Sequence, residues 1–487
     1  MNKELLYHQL AKICGSKNIT DNPEILMKYS RDLSFYPEKA PKLVVWPKDR
    51  NQIENIIKLA NSMNFSVVPL SSEDPHHHGD TIPHTDNCVL LNLSKMKKIL
   101  SIDRKNRVVM IEPGVTFGEL IPKLRKKGLR LLLPLYPRES KSVLTSALER
   151  EPIIIPRYHW DSSDPLLCTE VVFGTGDLFR TGTAAGPGTI KEQKKVGQAQ
   201  VNPMGPTQFS PFRVLQGAQG SLGVVTWATL KLELLPSTQK VFHIHSDNIQ
   251  DLLDFQQQLV KFRLCDETFI LDYLSLASLV RSTFKEIKVL ADALSKWNLI
   301  YTIAGRGKLA NDKLQYLEGD IKDILNELNN DIFKFTSDID ESEIIKCLNQ
   351  CSKEPWRMKY KGSYQDIFFI TNFERVPEFI SIVETIYNKH LGIYIQPINQ
   401  GTSYHCEFVL FYDSNDLEEE SIIKKNFMDI SIKLMDSGAF FNRPYGFWAK
   451  EMYKRHSEQT KIALKKVKNI FDPNKVLNPG VLCFDDG

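Results

Sequence analysis

A chain of 487 residues, 42% hydrophobic and 25% charged, is of ordinary globular composition but too long for a single growing core, so two domains are expected. The net charge of +3, with Lys and Glu evenly mixed, argues against nucleic acid as a partner. No apolar run approaches the length of a membrane span, and MNKELLYHQLAK reads as an amphipathic helix and not a secretion signal, so a cytoplasmic protein is expected.

The N-terminal part alternates strands and helices, as a layered domain requires. Leu43–Trp46 is a short strand, and Asp49 caps a helix whose Ile53, Ile56, Ile57 and Ala60 share one face. Val67-Val68-Pro69 begins the next strand. Val108–Ile111 is another, followed by the Pro113-Gly114 turn and a helix with Thr116 and Glu119 as capping box and Gly128 as stop. After Pro236 the pattern changes. Long amphipathic helices (Lys313–Leu328, Glu418–Met435) alternate with aromatic strands such as His405–Tyr412, which predicts an antiparallel sheet backed by helices. A last helix is expected over Lys454–Val467. Eight scattered cysteines form neither a disulfide framework nor a metal spacing, and Cys347 with Cys351 fits one helix face.

Three segments carry candidate chemistry. In FRVLQGAQGSLGVVTW (212–227), Gly217, Gly220 and Gly223 straddle Ser221 and run into a strand beginning at Val224. Glycine at that density lets backbone N–H groups approach a flat or charged ligand with no Cβ in the way. The loop LSSEDPHHHGDTIP (Leu70–Pro83) offers the Ser71 and Ser72 hydroxyls to a phosphate, although Glu73 and Asp74 would repel one. Its His76, His77 and His78 invite a metal reading. Neighbouring side chains on an extended loop diverge, however, so one ion rarely uses all three, and no metal is assigned. Finally, GAFFNRPYGFW (Gly438–Trp448) holds Arg443, whose forked donors suit a carboxylate or phenolate.

Together with FDPNKVLNPG (Phe471–Gly480), EVVFGTGDLFRTG (Glu170–Gly182), EPGVTF (Glu112–Phe117) and the stretch Pro41–Pro69, these segments resemble the vanillyl-alcohol oxidase and p-cresol methylhydroxylase superfamily of FAD-dependent oxidoreductases. The resemblance implies an α+β fold: an FAD-binding domain over 1–238, a cap over 239–440 covering the substrate side of the flavin, and a segment over 441–487 returning to the first domain. It implies FAD held by Pro69, Ser71, Ser72, His76, His77, Gly79, Arg157, Gly217, Gly220, Ser221, Gly223, Val224 and Asn478, with a histidine of the loop as a candidate covalent link. His78 stands where the phenol-oxidising branch has a phenolate-binding tyrosine, and is an acid or base candidate. Asn442 replaces a second tyrosine beside Arg443. In SVLTSALEREPIIIPRYHWDSSDP (Ser142–Pro165), counting forward from Arg150 puts His159 near the flavin N5, and counting back from Glu170 puts Asp161 there; Asp161 is preferred as proton acceptor. Tyr404, His405, Asn442 and Tyr445 are substrate-pocket candidates.

The implied activity is hydride removal from a hydroxyl-bearing or benzylic carbon of a small organic molecule. A 4-alkylphenol-like substrate leads, a 2-hydroxy acid follows, and a flavin-free scaffold with the same fold is the reading from another class. With no cysteine cluster of its own, the chain would pass single electrons to a separate electron-transfer protein, and the aromatic strands leave a homodimer open.

Overall fold

The computed structural model describes residues 2–158, 164–205, 212–328, 334–335 and 339–484. Three sheets organise it. The first has strand order β1-β2-β4-β3, from β1 (Ile19–Thr20), β2 (Leu43–Val45), β3 (Ser66–Leu70) and β4 (Cys88–Asn92). Its β2–β4–β3 pairs are parallel, with the helix Arg50–Met63 as crossover. That helix starts where Asp49 accepts the Gln52 N–H and buries Ile53, Ile56, Ile57 and Ala60, as their spacing predicts. The N-terminal helix Lys3–Cys14 packs Leu6 and Leu10 onto the same cluster.

The second sheet is antiparallel. It contains β5 (Ile99–Asp103), β6 (Val108–Ile111), β7 (Leu129–Leu131), β8 (Leu166–Phe173), β9 (Leu178–Arg180) and the long β10 (Gly223–Leu234), which pairs with β6, β7 and β8. The Thr116–Glu119 capping box forms and starts the helix Phe117–Arg125.

The third sheet has seven strands in the order β14-β11-β13-β12-β16-β17-β15. They are β11 (Thr238–Ser246), β12 (Thr268–Asp272), β13 (Trp297–Gly305), β14 (Lys334–Phe335), β15 (Ser363–Thr371), β16 (Leu391–Ile398) and β17 (Ser403–Tyr412). Every pairing in it is antiparallel. Alternation divides its side chains by face. Phe269, Leu271, Tyr394, Val409 and Phe411 join the core that includes Val171 and Leu230 of the second sheet, whereas Ile270, Leu299, Ile393 and Phe408 pack under helices. The fold is therefore α+β with an antiparallel sheet backed by helices, as the sequence suggests.

Two local expectations are corrected. In place of one helix over Lys454–Val467 there are two, Gly446–Arg455 and Glu458–Phe471, because Ser457 caps the second by accepting the Thr460 N–H. The helix Glu341–Asn349 ends before Cys351, so that residue does not share its face with Cys347. No helix among the described residues is long and apolar enough to cross a membrane.

Candidate active site

The C-terminal segment is stitched along β3. The Val67 N–H donates to the Val476 carbonyl at 2.7 Å, and the Asn478 N–H donates to the Val67 carbonyl at 2.9 Å. Asp472, fully buried, accepts the N–H groups of Val476 and Leu477. Lys468 satisfies Asp472 and also donates to the carbonyls of Ser221 and Leu477, while the Asn478 amide donates to the Gln219 carbonyl at 2.7 Å. A buried ion pair thus holds the glycine-rich turn, β3 and the chain end as one unit.

A groove runs along this unit, lined by Pro69, Ser71, Ser72, His77, Gly79, Gly217, Gly220, Gly223, Val224 and Asn478 among others. The glycines serve it differently from the expectation. A Cβ on Gly220 would lie 2.4 Å from Pro69, one on Gly223 2.5 Å from Val171, and one on Gly79 2.7 Å from the Tyr36 ring. The missing side chains of Gly220 and Gly223 let the turn close onto β3 and β8, and that of Gly79 admits the Tyr36 ring, so these bare positions serve packing.

The loop after β3 also corrects the sequence reading. Glu73 pairs with Lys97 at 2.5 Å, Asp74 pairs with His76 at 2.9 Å, and neither acid lines the groove. The repulsion expected of them against a phosphate is removed. His76 is buried with its ring nitrogens on Asp74 and Asp80, so it is turned from the groove and is unsuited to covalent attachment. Ser71 and Thr145 hydroxyls meet at 2.6 Å inside the groove. Two acids do line the groove, Asp80 and Glu149, but each is paired with a cationic partner, His76 and Lys141, so the serine and threonine hydroxyls and the backbone of this cleft fit the anionic diphosphate of FAD.

A second chamber adjoins the groove and shares Ser72, His77, His78, Asp80, Glu149 and Arg443 with it. The third sheet supplies its far wall. Tyr364, Asp366 and Phe368 alternate along β15, and Phe368 and Tyr394 stand in register with Glu407. Arg443 is 7% exposed, its guanidinium lies 4.1 Å from the Phe368 ring centroid, and its Nε has no hydrogen-bond partner among the described residues. Of the chamber's other cations, Lys141 bridges Glu149 and Glu151, Arg357 pairs with Glu407, and Arg138 donates to the Glu73 carbonyl and the Ser140 hydroxyl. Burial works to raise the Glu151 pKa, but Lys141 and then Arg443 outweigh it and hold it at about 2. His78 Nε2 lies 2.9 Å from Asp366, and its ring stacks on Tyr445 with centroids 4.7 Å apart. Burial alone would lower the His78 pKa; the Asp366 carboxylate reverses this and raises it.

Several expected residues sit elsewhere. Arg157 is ion-paired with Glu233 and Asp266, away from the groove. Ser221 is buried, its hydroxyl on the Ala218 carbonyl. Tyr404 donates to Gln257 on the helix-covered face, and His405 is buried against Glu407 on the same face of β17 as that chamber residue, without lining the chamber itself. Asn442 is buried and offers its backbone carbonyl to Arg150. His159 and Asp161 lie outside the described residues. Asp366, Tyr364, Arg357 and Glu407 were missed by sequence reasoning. The available signal was the period-two run Tyr364, Asp366, Phe368, which puts a carboxylate between aromatic rings on one strand face.

Residues 41–182 match the FAD binding domain family. Over 246 residues the chain is 27% identical to the glycolate oxidase subunit GlcD of Bacillus subtilis (strain 168), covering 50% of this chain and 47% of that protein. The chain thus spans about half the length of that relative. It is 22% identical to a D-lactate dehydrogenase of Anaerostipes hadrus, covering 97% of this chain and 96% of the other. The structure superposes on p-cresol methylhydroxylase with substrate bound at a TM-score of 0.82 and 17% identity, covering 99% of this chain and 97% of that one. The chain carries an FAD binding domain and has the p-cresol methylhydroxylase fold.

Proposed function

We propose, from a chain that carries an FAD binding domain and the p-cresol methylhydroxylase fold, that this protein is an FAD-dependent oxidoreductase acting on a small organic substrate with an anionic or ionisable oxygen. FAD in the groove supplies the acceptor for a hydride taken from a hydroxyl-bearing or benzylic carbon. The supporting observation is Arg443. Among the described residues the buried Arg443 makes no direct ion pair, Glu151 acting on it only at longer range, and its Nε has no hydrogen-bond partner where groove and chamber meet, a position that an anionic ligand oxygen would complete.

The substrate oxygen is held by the Arg443 fork, and the ring or chain lies against Phe368 and Tyr394. His78, held by Asp366 and Tyr445, closes the flavin side of the chamber. The proton released with the hydride passes to Asp161 or His159, on the segment that follows Tyr158. Aromatic walls favour a phenol-like substrate bearing an oxyanion. A 2-hydroxy acid is the second reading, favoured by the near full-length match to a D-lactate dehydrogenase.

Anaerobic mixing with a panel of phenols and 2-hydroxy acids tests this. Bleaching of a flavin band by phenols supports the leading reading, and bleaching by D-lactate or glycolate alone selects the second. A protein that is colourless and takes up no added FAD would instead be a scaffold.

A further inference from the structure

We propose that His77, His78 and Asp366 form a binding site for one divalent transition-metal ion, of the Zn2+ or Co2+ type, joining the loop after β3 to the cap sheet. One ligand atom from each residue lies within 4.8 Å of the others. The Asp366 Oδ1 is 2.9 Å from His78 Nε2 and 3.8 Å from His77 Nδ1. Donors about 2.0–2.2 Å from a tetrahedral ion stand roughly 3.3–3.5 Å apart, between those two spacings.

The backbone explains how adjacent histidines can share an ion. His78 has φ 61, a left-handed conformation that a branched or bulky residue seldom adopts. That turn breaks the alternation of an extended loop and brings the two imidazoles to 4.2 Å, edge to face.

The surroundings fit ligation on three counts. His77 Nδ1 is buried with no hydrogen-bond partner among the described residues, while its Nε2 is 3.5 Å from the Tyr364 carbonyl. A ring nitrogen directed at a backbone carbonyl with the opposite nitrogen free is the arrangement that fixes a metal-binding histidine. Each ring is also clamped by a tyrosine at a 7° interplanar angle, His77 on Tyr364 and His78 on Tyr445. Two nitrogens and one carboxylate leave at least one coordination position open, and His78 lines groove, chamber and a third cleft, so water or a substrate oxygen can reach it. Of the nearby cations, Arg357 is neutralised by Glu407 and Lys141 by Glu149 and Glu151, Arg138 donates to the Glu73 carbonyl, and Arg443 acts at longer range on Glu151.

Calorimetric Zn2+ titration and visible-band Co2+ titration of EDTA-stripped full-length protein test the site, with flavin absorbance read in the same sample. The expected result is one ion per chain with tetrahedral Co2+ bands. Asp366→Asn and His77→Ala should each weaken binding at least 10-fold, whereas His8→Ala, on the exposed N-terminal helix, should not. Wild-type affinity no tighter than that of Asp366→Asn overturns the proposal. Should the variants not fold, a wild-type melting temperature that Zn2+ fails to raise overturns it as well. A yellow protein that binds no ion refutes the metal site alone, and a colourless protein that binds one refutes only the flavin reading.

Discussion

The Arg443 guanidinium lies over the Phe368 ring, 4.1 Å from its centroid, so a cation of the chain's last fifth rests against strand β15. Stacking fixes the plane of the fork and leaves its edge for a substrate oxygen. Arg443→Lys keeps the charge but loses plane and fork. Flavin content should stay at the wild-type level while kcat/KM for the best substrate falls about 10²-fold or more, as expected when a buried charged partner is removed. Unchanged kcat/KM would take Arg443 out of substrate binding.

Gly220 tests the packing account of the glycine-rich turn. It has φ 68, and a Cβ there would come 2.4 Å from Pro69, whereas Gly307 has φ 78 with nothing within 4 Å. Gly307→Ala should cost about 1 kcal/mol from strain alone. Gly220→Ala should cost about 1–3 kcal/mol more and reduce flavin retention, measured by denaturant unfolding and by absorbance of the purified variant. Equal costs for the two would show that the turn tolerates a side chain against β3.

The Lys468–Asp472 pair should behave as a buried ion pair does. Lys468→Met leaves Asp472 buried without its cation and should destabilise by about 3–5 kcal/mol. Adding Asp472→Asn should recover part of that loss, because the amide still needs no counter-charge. A double variant less stable than Lys468→Met would mean that Asp472 acts mainly through its N–H contacts to Val476 and Leu477.

Acid should loosen the chamber through Glu151. Its folded pKa, about 2, lies below the ordinary 4.5, so its contribution to stability is complete above pH 4.5 and is lost as pH falls through 2. Glu151→Gln should therefore flatten the acid limb of stability, read as melting temperature from pH 6 downward, with Glu149 still pairing Lys141. An unchanged acid limb would contradict the assignment.

Much of this was legible in the sequence because local rules and tertiary demands agree. Asp49, Thr116 and the apolar face of Ile53, Ile56 and Ile57 point to helices that form as read. The segments singled out in the sequence come together in the fold: strand and chain end meet at Val67, and Asn478 reaches the turn at Gln219. What failed was direction. Glycine at 220 reads as room for a ligand, but only the fold shows its bare side against Pro69. Glu73 and Asp74 read as hostile to phosphate until Lys97 and His76 are seen to hold them aside. Asp366 reaches the loop from 288 residues away, a distance over which no spacing rule operates. The alternation of Tyr364, Asp366 and Phe368 showed a shared face, without saying what that face would meet.

Flavin stoichiometry of the purified chain tests the central claim most directly. Absorbance in the visible flavin bands, read before and after loading with FAD, should give one FAD per chain, and Gly220→Ala should lower it. A protein that stays colourless after loading, with its melting temperature unmoved by FAD, would contradict the groove as a dinucleotide site and with it the proposed chemistry.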